Sequence, residues 1–596
     1  MSHPERRQPA DETHPEILPK RPNAAFGAAL RARLLEVYDS DRADRLVEGI
    51  TAMVATRRRR HPGRWVDQSD VVLITYADSI RDRKGSTTPL ATLEAFLAAH
   101  VGDAISTVHL LPFYPASSDD GFSVIDYRAV DPSAGDWSDL DRLARRFDLM
   151  FDAVINHVSR QSAWFQGFLA GDPERRAFFH RCDPQADYSR ITRPRALPLL
   201  TAVETTEGRA HVWTTFSDDQ IDLNYETPEV LLEILDLLLF YADQGARFIR
   251  LDAIGFLWKR LGTTCMHLPE THALIQIMRL VVDAAVPGTL LITETNVPHA
   301  DNVSYFGDGS NEAHMVYQFP LPPLTLYAFQ TGDARPLSDW AAALEPPRPG
   351  TTFLNFLASH DGIGLRPAEG LLTPAQIDAM ASRIEEVGGL VSLRTLPDGR
   401  EAPYEFNVSF VDAVSAPGDD DAIRAARFQA AEAILLSVIG VPAIYIHSLL
   451  GSRNDLAGVA RTGRNRSINR ARLDFETLEE ALAEQTSLRR RILDAHLSLL
   501  TLRRGRSAFH PNADQTVVPA PRSVFSILRS GFGDRIWVTV NVSGEPVQIQ
   551  AMRAALGFAA DTGLIDLIAD KAVAHPREET IRFALGPYQA AWIAAD

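Results

Sequence analysis

Short, almost continuous apolar runs alternate with helical periodicity along most of this chain. Residues 71–78, 106–113 and 150–157 read as strands buried on both faces, with amphipathic helical stretches at 88–100 and 140–147 between them. The rhythm continues with strands predicted at 247–253, 290–296, 314–319, 351–357 and 441–447. Helical runs at 230–241, 274–285 and 425–437 fall among them. Eight strands alternating with helices predict an α/β fold, a (β/α)8 TIM barrel. Two intervals, 158–225 and 362–422, are too long for simple connections. Excursions after barrel strands emerge at the C-terminal face, where they can wall a pocket. Beyond about residue 515 the runs shorten and alternate, which predicts an antiparallel β domain. At the other end, a polar stretch to about residue 24 reads as a disordered leader. Leu30, Leu34, Leu35 and Val37, then Leu46, Ile50 and Val54, predict helices after it. The division is therefore 1–68 leader and helical extension, 69–157 first part of the barrel, 158–225 inserted domain, 226–361 barrel, 362–422 inserted loop region, 423–514 end of the barrel, and 515–596 C-terminal β domain.

Charged residues break into three of these strands. In Phe248-Ile249-Arg250-Leu251-Asp252-Ala253-Ile254, alternation puts Arg250 and Asp252 on one face and Ile249, Leu251 and Ala253 on the other. Two inward charges near a strand end are costly unless they are paired or used. A structural ion pair would account for these two, but not for Glu294 and Asp361 near the ends of strands five and seven. A barrel gathers the ends of strands four, five and seven around one pocket. Two carboxylates about 5 Å apart there can perform double displacement at a sugar carbon, one as ionised nucleophile and one as protonated acid. Arg250 would keep Asp252 ionised, and an apolar wall would raise the pKa of Glu294.

Charge and cysteine content narrow the setting. A net charge of −17 argues against a nucleic-acid partner. With only Cys182 and Cys265, no disulfide framework is expected and a reduced cytoplasm fits best. No apolar run is long enough to span a bilayer, and the first residues lack a signal-peptide core, so no membrane partner is expected. The run Arg57-Arg58-Arg59-Arg60 reads as a solvated helix end, and Asp218-Asp219 as a solvated pair.

Four motifs, Asp152-Ala153-Val154-Ile155-Asn156-His157, Arg250-Leu251-Asp252-Ala253, Ile292-Thr293-Glu294 and Ser359-His360-Asp361, together resemble the signature of the α-amylase superfamily. Leu73-Ile74-Thr75-Tyr76-Ala77-Asp78, His109-Leu110-Leu111-Pro112-Phe113, His360-Asp361-Gly362-Ile363-Gly364 and Arg466-Ser467-Ile468-Asn469-Arg470 resemble its sucrose-phosphorylase group, over roughly residues 65–596. Within that group, the helical extension resembles the branch that phosphorolyses glucosylglycerate. So do Ser118-Asp119-Asp120-Gly121-Phe122-Ser123-Val124-Ile125-Asp126-Tyr127, Thr192-Arg193-Pro194-Arg195-Ala196-Leu197-Pro198 and Pro403-Tyr404-Glu405-Phe406-Asn407.

The resemblance implies reversible phosphorolysis of 2-O-α-D-glucosylglycerate to α-D-glucose 1-phosphate and D-glycerate. Sucrose or glucosylglycerol phosphorolysis, and a retaining glucosidase or transglucosidase, are the alternatives. It implies that Asp252 is the nucleophile, Glu294 the acid/base and Asp361 the stabiliser of the transition state. Asp119, His157, Arg250, His360 and Arg466 would grip the glucosyl unit. Arg195 and Tyr404 match phosphate-site residues of sucrose phosphorylase, and Arg193 or Arg195 would contact phosphate or the glycerate carboxylate. Glu405 stands where sucrose phosphorylase has a glutamine, which argues against fructose as leaving group. The implied partners are a small sugar substrate and inorganic phosphate as co-substrate, with no organic cofactor; a homodimer is left open. Asn156 matches a calcium ligand of amylases, yet this group does not rely on that ion and no calcium-spaced carboxylate cluster accompanies it, so no metal is expected. A non-catalytic binding protein on the same scaffold would have lost catalytic carboxylates, and all three are present here.

Overall fold

The computed structural model describes residues 23–57, 63–194, 197–395 and 400–596. The leader, Arg58, Arg59, Arg60 and Arg195 lie outside the described residues. Eight strands close into a barrel: β1 (Val72–Thr75), β2 (Thr107–Leu110), β3 (Asp148–Ala153), β4 (Ala246–Leu251), β5 (Leu290–Thr293), β6 (Met315–Tyr317), β7 (Thr352–Phe356) and β8 (Val441–Tyr445). Every neighbouring pair is parallel, and β8 returns to β1 with Ala443 opposite Val72. Burial on both faces explains why apolar runs marked the strands so plainly. The register brings charged positions on neighbouring strands side by side. Asp152 on β3 stands opposite Arg250 on β4, and Arg250 stands opposite Ile292 on β5.

The third strand departs from its predicted span of 150–157. It begins two residues earlier, slips register between Leu149 and Met150, and ends at Ala153. Val154 and Ile155 remain fully buried after the strand ends, so hydrophobicity could not mark its end. Residues His157–Ser159 instead pair antiparallel with Gln220–Asp222. That ladder ties the two ends of the first long excursion together. The second excursion folds around a three-stranded sheet, in which Glu401–Asn407 lies between Ile363–Gly364 and Leu390–Thr395.

The N-terminal extension forms α1 (Ala24–Leu34) and α2 (Ser40–Ala55), capped by Asn23 and Asp39 side chains that accept backbone N–H bonds. Phe26, Leu30 and Leu34 with Ala43, Leu46, Ile50 and Val54 form the buried stripe, while Leu35 is exposed. These helices pack on α3 (Pro228–Asp243) and α4 (Pro269–Ala285), which lead into β4 and β5. The Tyr38 hydroxyl donates to the Tyr225 carbonyl at 2.8 Å. Arg57, expected in solvent, instead bridges Asp236 and Asp243 on α3. A helix end facing another helix finds carboxylates before it finds water. From Asp514 on, antiparallel strands build a six-stranded sheet and a separate two-stranded ribbon.

Candidate active site

Arg250 and the carboxylates around it organise the mouth of the barrel. The Arg250 guanidinium donates to Asp152 and, at 2.7 Å, to Asp252, and its other nitrogen stands 3.7 Å from Glu294. Asp252 follows the last residue of β4, and its N–H still bonds the Ala153 carbonyl at 3.1 Å. Glu294 follows the last residue of β5. Between them Ala253 takes a left-handed backbone, φ +50°, unfavourable for a residue with a Cβ. That turn points its N–H at Glu294 Oε2, 3.3 Å away. Burial pushes the Asp252 carboxyl up to about 8; Arg250 opposes the shift and Glu294 adds to it. Burial also raises Glu294, again against Arg250 and with Asp361 reinforcing. Burial would raise Asp152 too, but Arg250 and His109, whose Nε2 is 2.7 Å away, outweigh it and hold it low.

Asp361 lies under opposite control. Burial alone would raise it, but Arg466 first, with Arg470 and Arg250 further off, holds it well below the usual range. Arg466 bonds Asp361, and it grips Glu405 through two bonds, 2.6 and 3.1 Å. Arg470 reaches the His360 carbonyl at 2.6 Å and also pairs with Asp120. His360 stacks on Phe122, ring centroids 4.9 Å apart, and its burial lowers it to about 3, so it is neutral. The glycines of His360-Asp361-Gly362-Ile363-Gly364 are needed for close approach. A Cβ on Gly362 would stand 2.5 Å from the Glu405 side chain, and one on Gly364 would stand 2.4 Å from Asn296.

Asp119 and Asp120 are consecutive left-handed residues, φ +54° and +49°. Gln220 holds this corner, donating to Asp119 at 3.3 Å and lying 3.1 Å from His157 Nε2. Asp219, expected in solvent, accepts from the hydroxyls of Ser117, Ser118 and Ser123. It pins the 117–123 loop, which holds Asp119 and Phe122, to the strand Gln220–Asp222.

One cavity is lined by Asp119, His157, Arg250, Asp252, Glu294, His360, Asp361, Tyr404, Glu405 and Arg466. Arg193 is exposed and does not line it, although the next residue, Pro194, does; Arg195 lies outside the described residues. Sequence reasoning passed over Gln220, Phe122, Arg366 and Asn296, which also line the cavity. It also passed over Asp152, which it quoted only as part of a motif.

Asn156 is not an open cation ligand. Its side chain binds the Asp222 carboxylate at 3.0 Å, and the Lys259 ammonium sits 3.0 Å from Asn156 Oδ1 and 2.7 Å from Asp222. All three side chains are buried. The lysine thus supplies the positive charge at these oxygens. Lys259→Met should strand the Asp222 charge and destabilise the fold by about 3–5 kcal/mol. Thermal melts check this, and an unchanged melting temperature would show that the ammonium is not what Asp222 depends on.

Comparison with known proteins places this arrangement. The family model "alpha amylase, catalytic domain" matches residues 103–361. A glucosylglycerate phosphorylase of Allomeiothermus silvanus is 47% identical over 537 residues, 90% of this chain and 92% of that one. The chain belongs to the α-amylase superfamily, in its sucrose-phosphorylase group. Another member, the glucosylglycerate phosphorylase of Escherichia coli K12, is 49% identical over 81% of this chain and 86% of its own length. Among solved structures, the sucrose 6F-phosphate phosphorylase from Thermoanaerobacter thermosaccharolyticum superimposes with a TM-score of 0.69 at 26% identity. It covers 80% of this chain and 94% of that one. Membership accounts for the closed barrel and for carboxylates gathered at its C-terminal face.

Proposed function

We propose that this enzyme catalyses the reversible phosphorolysis of 2-O-α-D-glucosylglycerate, yielding α-D-glucose 1-phosphate and D-glycerate with retention of configuration. The observation that carries the substrate is the relatives' identity, 47–49% to glucosylglycerate phosphorylases against 30% to a glucosylglycerol phosphorylase and 31% to a sucrose phosphorylase. The observation that supports the chemistry is one guanidinium reaching both Asp252 and Glu294 at the cavity.

Two buried carboxyls that repel each other titrate as a unit and share one proton over the neutral range. Burial raises both, yet Arg250 touches Asp252 directly and Glu294 only at longer range. A direct charge-assisted hydrogen bond favours the anion it touches, so the shared proton belongs on Glu294. The Asp252 carboxylate attacks the anomeric carbon from the β face. The bond from that carbon to the glycerate oxygen breaks, and Glu294 gives its proton to the departing oxygen. The result is a β-glucosyl ester of Asp252. Phosphate oxygen then attacks the same carbon, the ester bond breaks, and Glu294 takes the proton that phosphate releases. Asp361, held anionic by Arg466, stabilises positive charge on the ring in both transition states. Asp119, His157 and His360 hold the sugar hydroxyls.

The reaction asks nothing of a metal or organic cofactor, because proton transfer and charge stabilisation both come from side chains. Two free cysteines, one of them buried, support work in the reduced cytoplasm. The deciding experiment is incubation with glucose 1-phosphate and a panel of acceptors while inorganic phosphate is measured. D-glycerate should release it fastest. Release only with fructose or glycerol would overturn the substrate, and glucose appearing without any acceptor dependence would favour a hydrolase.

A further inference from the structure

Among the described residues, Arg366 is the cavity arginine without a carboxylate partner. Three arginines among the described residues line the cavity, Arg250, Arg366 and Arg466. Arg250 is claimed by Asp152 and Asp252, and Arg466 by Asp361 and Glu405. Arg366 has no such counterpart. Its Nε is buried without a hydrogen-bond partner, and no carboxylate among the described residues pairs with its guanidinium. Partly desolvating a guanidinium without an anion costs free energy that a bound anion can return. In a strongly acidic protein, leaving one pocket arginine without a carboxylate is the unusual arrangement.

Its placement says which part of the substrate it faces. Residues 363 and 364 pair antiparallel with 406 and 405, and the Leu365 N–H donates to the Tyr404 carbonyl at 3.1 Å. Arg366 therefore leaves the ladder beside Tyr404, and buried Pro367 and Ala368 anchor the turn behind it. Its charge is felt at the Tyr404 phenol, where it partly offsets the rise caused by burial and Glu405. On the other flank, the Gly364 backbone presses on the Asn296 side chain, whose Oδ1 is also buried without a partner. Asn296 lies two residues past Glu294, the group that protonates the leaving oxygen. Unpartnered polar groups of Asn296 and Arg366 thus line the same cavity as the acid Glu294.

We infer that Arg366, with Asn296 and Tyr404 beside it, binds the carboxylate of the acid that leaves and re-enters as acceptor. This rests on the function proposed above and names the residue that sets its acceptor class. A guanidinium offers a carboxylate two parallel N–H bonds. Neutral acceptors such as glycerol or fructose would leave the arginine unpaired, and a site with an unpaired buried polar group discriminates strongly against them.

Arg366→Gln and Arg366→Lys separate the possibilities, with glucose 1-phosphate as donor. Arg366→Gln should raise the KM for D-glycerate on the order of 10–100-fold with a smaller change in kcat. The lysine variant should recover part of the loss. Arsenate, a stand-in for phosphate, tests the other anion. The rise in KM for glycerate should exceed that for arsenate at least about tenfold, and the preference for glycerate over glycerol should shrink. Equal losses for glycerate and arsenate in both variants would overturn the carboxylate assignment, as would a KM for glycerate in Arg366→Gln equal to that of a wild-type enzyme that uses glycerate. A wild-type enzyme that accepts no hydroxy acid would sink the functional reading itself, and this inference with it. Melting temperatures of both variants separate a folding defect from a binding one.

Discussion

Asp252→Ala will lower kcat/KM by at least about 10⁴-fold in both directions, and azide will distinguish what that loss means. With glucose 1-phosphate as donor, no proton is needed to expel the leaving group. In Asp252→Ala, azide can occupy the space of the missing carboxylate and attack once, giving β-glucosyl azide. In Glu294→Ala, Asp252 still forms its ester, and azide, which needs no general base, opens it to α-glucosyl azide. Opposite anomers from the two variants follow from double displacement alone. The same anomer from both would refute the assignment of nucleophile and acid. Stability supplies a second signature. The buried Asp252–Glu294 pair, whose carboxyls are both raised when folded and near 4 when unfolded, keeps one shared proton when folded across the interval up to about pH 8 that the unfolded chain has lost. Stability therefore falls as pH rises from about 4 to 8. Asp252→Asn removes that contribution, so its melting temperature should exceed wild type by about 1–3 °C at pH 8. The gap should close toward pH 4. A variant less stable than wild type at pH 8 would show that the ionised carboxylate contributes net stability to the fold.

The barrel was legible because its strands are buried on both faces, so Val72–Thr75 and Leu290–Thr293 appear as unbroken apolar runs. Their ends were not legible. Burial persists through Val154 and Ile155 into the site, and an apolar run cannot tell a strand from a buried turn. The carboxylates were legible for a related reason. Asp252 and Glu294 intrude on hydrophobic segments where an unpaired charge is costly. Glu405 was legible as a departure from sucrose phosphorylase, but its tight hold on Arg466 was not. Such a partnership spans 61 positions of sequence and depends on an excursion's path. Arg366 was invisible for the complementary reason. What distinguishes it is that no carboxylate among the described residues pairs with it, and a missing contact leaves no trace in a sequence. Lys259 was equally hidden, since its partners Asn156 and Asp222 lie on another part of the chain.

Arg250→Met should be the most damaging single change that leaves the three catalytic carboxylates in place. The guanidinium now serves Asp152 and Asp252 directly and Glu294 at longer range. Asp152 is fully buried, and without Arg250 it keeps, among the described residues, only His109 as a side-chain hydrogen-bond partner. Breaking a buried pair from one side costs about 3–5 kcal/mol, and the released charge would also raise the pKa of Asp252 further. Activity should fall by at least about 10³-fold at neutral pH, with the remaining rate shifted to higher pH as the carboxyl pair resists ionisation. Adding Asp152→Asn to Arg250→Met removes the stranded charge. The double variant should regain most of the lost stability, because the coupling between contacting residues is large, but little of the activity, because Asp252 still lacks its cation. Thermal melts and pH–rate profiles on the two variants read these outcomes separately. Activity recovering together with stability would mean that Arg250 serves the fold through Asp152 and does not govern ionisation of the pair.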